Sequence, residues 1–321
     1  MQSEKAWLQW VRRAAGAAPG SEVRRPELRL GIGDDAALLR PRRGWEIALT
    51  TDLLLEDVHF LRRYDTAVTC GHRLVTRALS DLAAMGAEPL AVLVSSAYPE
   101  DLPAAWPRQL YRGILAALQP AQAVLAGGDV AAAPAGKILL DIVGVGQVPT
   151  GLALRRSGAR AGDRIFVSGT LGLGARGREL AHLEKKPTSA PLSTDDRRAL
   201  QHHRQPRARW ELGIALRGRA SAAIDLSDGL ATDLDHLCAE SGTGAIIDAA
   251  SIPALATDRD RRRALCGGED YELLFTVPAR RRWRPPAGVT AIGSITAERG
   301  IWIADAGRRR RLPAAGWEHF K

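Results

Sequence analysis

The stretch LTTDLLLEDVHF, residues 49–60, guides the interpretation of the whole chain. The apolar run Ile47-Ala48-Leu49 predicts a β-strand, and Asp52 follows it at the expected strand end. Acidic residues beside turn formers recur along the chain, in the segments GDD (33–35), SD (80–81), GGD (127–129) and DLSDG (225–229). Carboxylates without matching His or Cys clusters suit hard cations such as Mg²⁺, which prefer oxygen ligands. The pattern therefore predicts metal-dependent phosphate chemistry.

The composition is that of a folded, basic protein. Its 321 residues, 45% of them hydrophobic, are enough to bury two ordinary cores. The formal charge of +9 comes mostly from arginine, with clusters at residues 261–263, 280–282 and 308–311. Such charge raises nucleic acid as an alternative partner. Because the clusters lack interleaved aromatic residues, we favour solvated faces and expect no nucleic-acid partner.

The cysteines and the N-terminal residues indicate a cytoplasmic protein. Cys70, Cys238 and Cys266 are scattered, so neither zinc ligation nor a disulfide framework is expected. Trp7 and Trp10 belong to an amphipathic pattern that predicts a helix rather than a signal peptide. No apolar run approaches the roughly 20 residues of a membrane span, so no membrane segment is expected.

Hydrophobic patterning predicts a mixed α and β chain. Predicted strands cover residues 28–32, 89–97, 123–125, 138–145, 164–168, 222–224, 245–247, 273–277, 289–295 and 300–304. Predicted helices cover residues 72–85, 102–118, 195–203, 207–217 and 230–240. A turn-rich, basic segment at 149–162 predicts a boundary between domains at residues 1–150 and 151–321.

Three motifs also have interpretations of another kind. The GDD segment could be a turn in which an Asp caps a local amide. Ser227 or Asp228 could simply cap the helix that follows, although helix starts also bind phosphate. Residues 172–177 spell a G-x-G-x-x-G, but residues 185–194 form a polar linker where a dinucleotide fold needs a second strand. No Gly-Lys-Ser/Thr follows either, so neither a dinucleotide site nor a P-loop is expected.

Seven motifs in order resemble the thiamine-monophosphate kinase family: GIGDDAA, TTDLLLEDVHF, SDLAAMGA, GGDV, IDLSDGLATDL, GGEDYELLFT and GWEHF. The resemblance covers nearly the whole chain. It implies the α+β, two-domain fold shared with aminoimidazole ribonucleotide synthetase. In that fold the N-terminal sheet domain, 1–150, binds ATP and Mg²⁺ and forms a homodimer, while the domain at 151–321 completes the nucleotide and substrate site. The implied reaction converts ATP and thiamine monophosphate into ADP and thiamine diphosphate.

The resemblance also assigns site residues. Several Mg²⁺ ions are expected on Asp35, Thr51, Asp52, Asp81, Asp129, Asp225 and Asp228, with Asp34 as an outer or alternative ligand. Of these, the catalytic residues are expected to be Asp52, Asp129 and Asp225. Contacts to ATP are expected from Gly128, Asp129, Arg156 and Ser227. Contacts to thiamine monophosphate are expected from His59, Glu269 and Trp317, and an aromatic face such as that of Trp317 attracts a cationic thiazolium ring.

Two positions depart from the family pattern. The family usually has Gly where this chain has Asp57, which we expect to affect the position of His59. It usually has Asn where this chain has Ala78, which removes a hydrogen-bonding group. The segment 252–267 is also short and basic, so contacts that the family makes there are not carried over to this chain.

Other enzymes of the same superfamily are the nearest alternatives. A selenophosphate synthetase would need a reactive Cys in an N-terminal arm, and none precedes Cys70. A hydrogenase-maturation relative would need a C-terminal Cys, which is also missing from the sequence. An aminoimidazole ribonucleotide synthetase stays open as an alternative until substrates are compared.

Overall fold

The computed structural model describes residues 4–16, 25–32, 34–133, 136–183, 191–281 and 283–316. The chain forms two compact units. Unit 1 comprises Met1–Leu82 and Ala87–Gly151, and unit 2 comprises Ala83–Gly86 and Leu152–Lys321. Helices and mixed sheets occur in both, so the predicted α+β fold class is confirmed.

Unit 1 is built on one four-stranded sheet. Its elements are α1 (Glu4–Gly16), β1 (Leu28–Leu30), β2 (Leu38–Leu39), β3 (Trp45–Leu55), α2 (Ala67–Ala84, whose last two residues belong to unit 2), β4 (Glu88–Tyr98), α3 (Ala105–Leu118), β5 (Val124–Ala132) and β6 (Leu139–Pro149). The strand order is β3-β6-β4-β5, with β4 and β5 parallel and the other neighbours antiparallel. Strands β1 and β2 form a separate antiparallel pair.

The two faces of this sheet differ. Helix α2 lies against one face, where Ala78 is fully buried beside Gly144. The opposite face exposes large apolar side chains of β3, including Leu49 at 68% and Leu53 at 51%. Because side chains alternate along a strand, the 11 residues of β3 point in turn to the covered face and to the exposed face.

Helices α2 and α3 cross at two glycines. A Cβ added to Gly71 would lie 2.1 Å from the carbonyl oxygen of Leu110, and one added to Gly113 would lie 2.1 Å from that of Val68. Each glycine therefore receives the backbone of the other helix, an approach that any larger residue would prevent.

The predicted N-terminal helix is confirmed as α1. Trp7 is 6% exposed, stacks on Trp10 and meets the ring of Tyr111 on α3 edge-on. This aromatic contact attaches α1 to the rest of unit 1.

Unit 2 is built on a seven-stranded sheet. Its elements are β7 (Arg164–Ser168), α4 (Leu173–Leu183), α5 (Thr194–Arg204), α6 (Trp210–Leu216), β8 (Ala222–Leu226), α7 (Leu230–Ser241), β9 (Gly244–Asp248), α8 (Asp258–Cys266), β10 (Glu272–Val277), β11 (Val289–Thr296), β12 (Gly300–Asp305) and β13 (Arg308–Arg311). The strand order is β13-β12-β9-β11-β7-β10-β8, and among the described strands of this sheet only β12 and β9 are parallel neighbours.

Two apolar clusters stabilise unit 2. One contains the buried residues Leu234 and Leu237 of α7 together with Ile224 and Ile247 of the sheet. The other contains Phe166 and Phe275, which stack with ring centroids 5.6 Å apart and are met edge-on by Trp283. The loops that leave β8 and precede β10 are thereby held on a rigid support.

Three expectations about local structure were wrong. Asp52 lies inside β3 rather than at its end, because the pairing with β6 continues to Leu55. The GGD segment is part of β5 rather than a turn; a Cβ at Gly128 would lie 2.0 Å from the carbonyl oxygen of Val94, so only glycine lets the strands pair there. Strand β13, with four exposed arginines, and helix α8 were not predicted, because charged composition masked their backbone pattern.

The cysteines agree with the expectation of free thiols. Cys70 and Cys238 are buried, Cys266 is partly buried, and all three are free. Burial raises the pKa of the Cys238 thiol to about 11, so it is protonated at neutral pH. Among the described residues, no helix has the length and apolar character needed to cross a membrane.

Candidate active site

Neighbouring residues of β3 point to opposite sides of the unit 1 sheet. Asp52 lies on the face against α2, where its carboxylate meets Arg77. Thr51 lies on the open face and donates its hydroxyl to Asp141 of β6 at 2.8 Å. The period-two geometry of a strand is the cause. Of the two expected metal ligands, Asp52 therefore faces α2 and Thr51 faces the open side of the sheet.

Asp52 and Asp81 share the face covered by α2. Nε of Arg77 donates a hydrogen bond to Oδ1 of Asp52 at 3.2 Å, Nη2 forms an ion pair with the same oxygen at 3.2 Å, and Thr50 donates its hydroxyl to Asp81. Burial raises the pKa of Asp52 to about 6; Arg77 opposes this rise, and the nearby carboxylates of Asp81 and Asp141 add to it. The site therefore holds more negative charge than one arginine balances.

The open face carries a second set of oxygen atoms. Asp141 pairs with Ser95 across β6 and β4, and Ser95 pairs with Asp129 across β4 and β5. Side chains at paired positions share a face, so these three residues and Thr51 form a polar row between exposed apolar side chains. Asp129 is exposed and accepts a hydrogen bond from the backbone N–H of Val130 at 2.9 Å.

Asp34 and Asp35 lie between β1 and β2 and are both exposed. The Asp34 carboxylate accepts the backbone N–H of Asp35 at 2.9 Å, as in the local turn considered above. In the described part of the chain, no hydrogen bond joins either residue to Asp52 or Asp129. Their place among the metal ligands stays a prediction.

The loop after β3 holds His59 firmly. Nδ1 of His59 accepts the backbone N–H of Leu55 at 3.0 Å, which assigns the proton of a neutral ring to Nε2. The carbonyl oxygen of His59 accepts from Nη2 of Arg73 at 2.9 Å, and Arg73, only 1% exposed, faces the buried carboxylate of Asp65. A cleft of about 680 Å³ opens beside this loop, lined by Glu56, Asp57, Leu61, Arg62 and Arg63.

The two departures from the family pattern have distinct settings. Asp57 adopts a left-handed backbone with φ of 66°, a conformation that glycine accepts most readily and that Asp tolerates better than most residues. Its side chain pairs with Lys137 at 2.5 Å on the surface. Ala78 is fully buried, and a Cβ placed on Gly144 would lie 3.0 Å from its own Cβ. A longer side chain at 78 would require the sheet to shift.

In unit 2 three acidic side chains meet at the start of α7. The helix is capped by Gly229 with φ of 113° and no side-chain cap, so the prediction that Ser227 or Asp228 caps it was wrong. Instead Oδ2 of Asp233 accepts the backbone N–H groups of Asp228 and Gly229 at 3.1 and 3.0 Å. Burial, followed by the charges of Asp225 and Asp228, raises the pKa of Asp233 well above its ordinary value.

The predicted residues Ser227 and Glu269 lie side by side. The backbone N–H of Glu269 donates to the carbonyl oxygen of Ser227 at 2.8 Å, and Glu269 has a left-handed φ of 60°. Nη1 of Arg178 lies 3.5 Å from the Glu269 carboxylate. The structure thus brings the DLSDG and GGED segments together within unit 2.

The G-x-G-x-x-G motif serves a structural purpose. Oδ2 and Oδ1 of Asp270, which is 1% exposed, accept the backbone N–H groups of Gly172 and Gly174 at 2.7 and 3.0 Å. Burial raises the pKa of Asp270 to about 7, although both amides oppose the rise. Because a carboxylate of the same chain uses these amides, they are not left to bind a phosphate.

An ion pair between the buried Glu272 and the partly exposed Arg209 supports the same loop. Glu272 accepts two hydrogen bonds from Arg209, at 2.5 and 2.7 Å, and one from the Ser168 hydroxyl. Such a bidentate pair fixes the geometry of both partners. The start of β10 is therefore held in place directly after Glu269 and Asp270.

Arg156 and Trp317 are the last two residues predicted for the site. Arg156 is exposed, and its carbonyl oxygen accepts the Ser241 hydroxyl at 3.0 Å. Trp317 lies outside the described residues. Gly316, just before it, donates its N–H to the Thr232 hydroxyl on α7 at 2.8 Å.

The donor atoms fit Mg²⁺ in their chemistry. They are carboxylate and hydroxyl oxygens, and a bound cation would counter both the burial that raises the pKa of Asp52 and the nearby carboxylates of Asp81 and Asp141 that add to this rise. Across the described ranges, no three acidic, His or Cys side chains already form a metal cage. Mg²⁺ commonly uses one or two carboxylates together with water and substrate phosphates, so a complete protein cage is not required.

Several residues of the site were missed from sequence. Asp233 and Asp270 were not singled out, although each supports a predicted loop, and Arg77 and Asp141 were not expected beside Asp52 and Thr51. An Asp in the first turn of α7 was the available signal for Asp233. The contacts of Asp270 span 98 and 96 residues and had no local signal.

Two family models match this chain over most of its length. Residues 33–148 match the AIR synthase related protein, N-terminal domain, and residues 160–303 match the AIR synthase related protein, C-terminal domain. The chain therefore belongs to the AIR synthase related family. Within it, the chain belongs with the thiamine-monophosphate kinases, as its relatives indicate.

The relatives match over almost their full length. The thiamine-monophosphate kinase of Salmonella typhimurium is 38% identical over 313 residues, 92% of this chain and 93% of the relative. That of Aquifex aeolicus is 34% identical, covering 90% and 92%. The crystal structure of thiamine-monophosphate kinase from Stenotrophomonas maltophilia has a TM-score of 0.81 at 35% identity, and the match covers 98% of each chain. A structure described as AaThiL complexed with AMPPCP and TMP has a TM-score of 0.79 at 31% identity, covering 99% and 97%.

Proposed function

We propose that the protein phosphorylates thiamine monophosphate with ATP, giving thiamine diphosphate and ADP. The observation that carries this proposal is the full-length similarity to thiamine-monophosphate kinases, including a neighbour described in complex with AMPPCP and TMP. The motifs that led to the family also supply the carboxylates described in both units. ATP is the co-substrate of this reaction.

Mg²⁺ is the metal we propose for the acidic residues. The ligands would be Asp35, Thr51, Asp52, Asp81, Asp129, Asp225 and Asp228, with more than one ion because Thr51 and Asp52 point to opposite faces of the sheet. When bound, Mg²⁺ neutralises the repulsion between two polyanionic substrates and so favours in-line transfer. Asp52, Asp129 and Asp225 hold charge near the reacting groups in this proposal.

No protein nucleophile or strong base is needed for such a transfer. The second pKa of a phosphate is about 6, so the acceptor oxygen of thiamine monophosphate is already largely ionised at neutral pH. We therefore assign His59 to substrate contact, together with Glu269 and Trp317. Gly128, Arg156 and Ser227 are assigned to ATP.

The open face of the unit 1 sheet supports a homodimer. Leu49, Leu53 and Leu139 are 68%, 51% and 41% exposed on it, next to Ile47 at 38%. An exposed group of this kind favours contact with another protein surface. A second copy of the chain is the partner we propose, and a cytoplasmic location is consistent with the free cysteines.

Release of ADP tests the proposed reaction directly. Purified protein, ATP and Mg²⁺ are combined in a coupled assay with thiamine monophosphate, free thiamine or an aminoimidazole ribonucleotide precursor. Turnover is expected only with thiamine monophosphate. Equal turnover with free thiamine would show that the acceptor is not a phosphate, and turnover with the precursor would favour the ribonucleotide synthetase alternative.

A further inference from the structure

Arg77 places a permanent positive charge among the acids of unit 1. Its Nε donates a hydrogen bond to one oxygen of Asp52, Oδ1, at 3.2 Å, and its Nη2 lies 3.2 Å from the same oxygen in an ion pair. In the described chain, the hydrogen bonds received by the Asp52 side chain all go to Oδ1, so Oδ2 remains for another cation. The side chains of Arg77 and Asp52 are 16% and 21% exposed, which leaves this pair accessible to small ions.

The charges around Arg77 are mainly negative. Asp81 follows it by one helical turn on α2 and is held by the hydroxyl of Thr50. Asp141 on the neighbouring strand β6 acts on Asp52 electrostatically. One guanidinium is thus the positive charge beside Asp52, whose carboxylate is also influenced by Asp81 on the same face and by Asp141 on the opposite face of the sheet, and the guanidinium stays protonated at any physiological pH.

We propose that Arg77 is a fixed cation that takes the place of one divalent ion at Asp52, so that the acid site of unit 1 binds fewer or more weakly held Mg²⁺ ions than its carboxylates would otherwise bind. The inference rests on the proposed role of Mg²⁺ in the function above. Arg77 is a positioning residue in this account, because it acts through Asp52.

Charge and geometry support this assignment. A guanidinium bound to Oδ1 repels a second cation a few ångströms away, and the repulsion is strong where water is partly excluded. It also fixes the orientation of the Asp52 carboxylate, so that Oδ2 is presented in one direction. Removing this charge should strengthen divalent-ion binding, whereas an arginine with a purely structural role would leave binding unchanged or weaken it.

Binding of Mn²⁺ alone tests the proposal. Mn²⁺ is titrated by electron paramagnetic resonance into the wild-type protein and into Arg77→Met, Arg77→Lys and Arg112→Met, without nucleotide. Arg77→Met should bind Mn²⁺ about tenfold more tightly, or bind one further ion. Arg77→Lys keeps the charge, and Arg112→Met changes an exposed arginine of α3, so both should stay close to wild type.

Equal or weaker Mn²⁺ binding by Arg77→Met, or absence of binding in all four proteins, would overturn the proposal. If Arg77→Met fails to fold by circular dichroism, Arg77→Gln provides a second neutral variant. Failure of both to fold in millimolar Mn²⁺ would also overturn it, since the ion should then replace the lost charge. Because no substrate is present, these outcomes are independent of whether the protein releases ADP from ATP and thiamine monophosphate.

Discussion

The backbone N–H of Gly316 donates a hydrogen bond to the hydroxyl of Thr232, at 2.8 Å. This contact attaches the end of the described chain to the first turn of α7, beside the acidic DLSDG segment. A Cβ on Gly316 would lie 2.3 Å from the carbonyl oxygen of Asp228 and 2.4 Å from the Thr232 hydroxyl. Position 316 therefore accepts only glycine while this contact is kept.

Gly316→Ala should raise the KM for thiamine monophosphate several-fold and leave kcat nearly unchanged. The added methyl group displaces the chain directly before Trp317, the proposed thiazolium contact, and the atom of the proposed metal ligand Asp228 that it meets is the backbone carbonyl oxygen rather than the carboxylate. Steady-state kinetics with varied thiamine monophosphate measures the effect. Ala314→Ser, at an exposed position, is the control. An unchanged KM in Gly316→Ala would show that the hydrogen bond between Gly316 and Thr232 does not support substrate binding.

Asp52→Asn and His59→Gln should affect different kinetic constants. The first keeps size but removes charge from a site that acts electrostatically, so kcat should fall on the order of a hundredfold or more. The second can still accept the N–H of Leu55 and should chiefly raise the KM for thiamine monophosphate. Loss of kcat in His59→Gln at saturating substrate, with an active Asp52→Asn across a Mg²⁺ titration, would identify His59 as a base.

Asp270 should make the free energy of unfolding depend on pH. Its folded-state pKa of about 7 lies above the ordinary value of 3.8, so the folded protein binds this proton more tightly than the unfolded chain does. The resulting stabilisation is complete below 3.8 and is lost as pH rises through about 7. Wild type should therefore lose stability relative to Asp270→Asn across this window.

Urea unfolding at several pH values measures this difference. The exposed Asp305→Asn is the control and should run parallel to wild type. If Asp270→Asn also runs parallel to wild type, the Asp270 carboxyl does not titrate in the folded protein as proposed.

The open face of unit 1 predicts a homodimer at micromolar concentration. Leu49→Arg places a charge on its most exposed leucine and should give a monomer by light scattering. Leu183→Arg, at a 46% exposed leucine of α4, should leave the dimer intact. A monomeric wild-type protein would rule out this assembly.

Local patterns were enough to predict most elements and the identity of the acidic segments. The apolar stripe of α2, the short strand that leads into the DLSDG segment and the short strand after the GGED segment follow from hydrophobic period alone. The same alternation, applied to all of β3, would have placed Thr51 and Asp52 on opposite faces. The polar run Thr50–Asp52 resembles the end of a strand, and for this reason the sequence pattern misplaces Asp52.

The supporting contacts could not be predicted because they join distant parts of the chain. Asp270 reaches Gly172 and Gly174 across nearly a hundred residues, and Arg77 meets Asp52 only once α2 packs on β3. Glycine at position 128 resembled a turn signal, while its actual cause is the close approach of Val94 on the neighbouring strand. Such causes depend on tertiary packing, which outweighs local propensity.

The crossing of α2 and α3 at Gly71 and Gly113 couples the effects of substitutions at these two positions. Either alanine alone would force the helices apart, since each Cβ would meet a carbonyl oxygen of the other helix at 2.1 Å. Once they are apart, the second alanine finds space already made, so the two losses of stability should be less than additive. The first alanine substitution then causes most of the loss of stability. It would also move α2, with Arg77 and Asp81, away from α3. The position of two acid-site side chains therefore depends also on two glycines that have no side chain of their own.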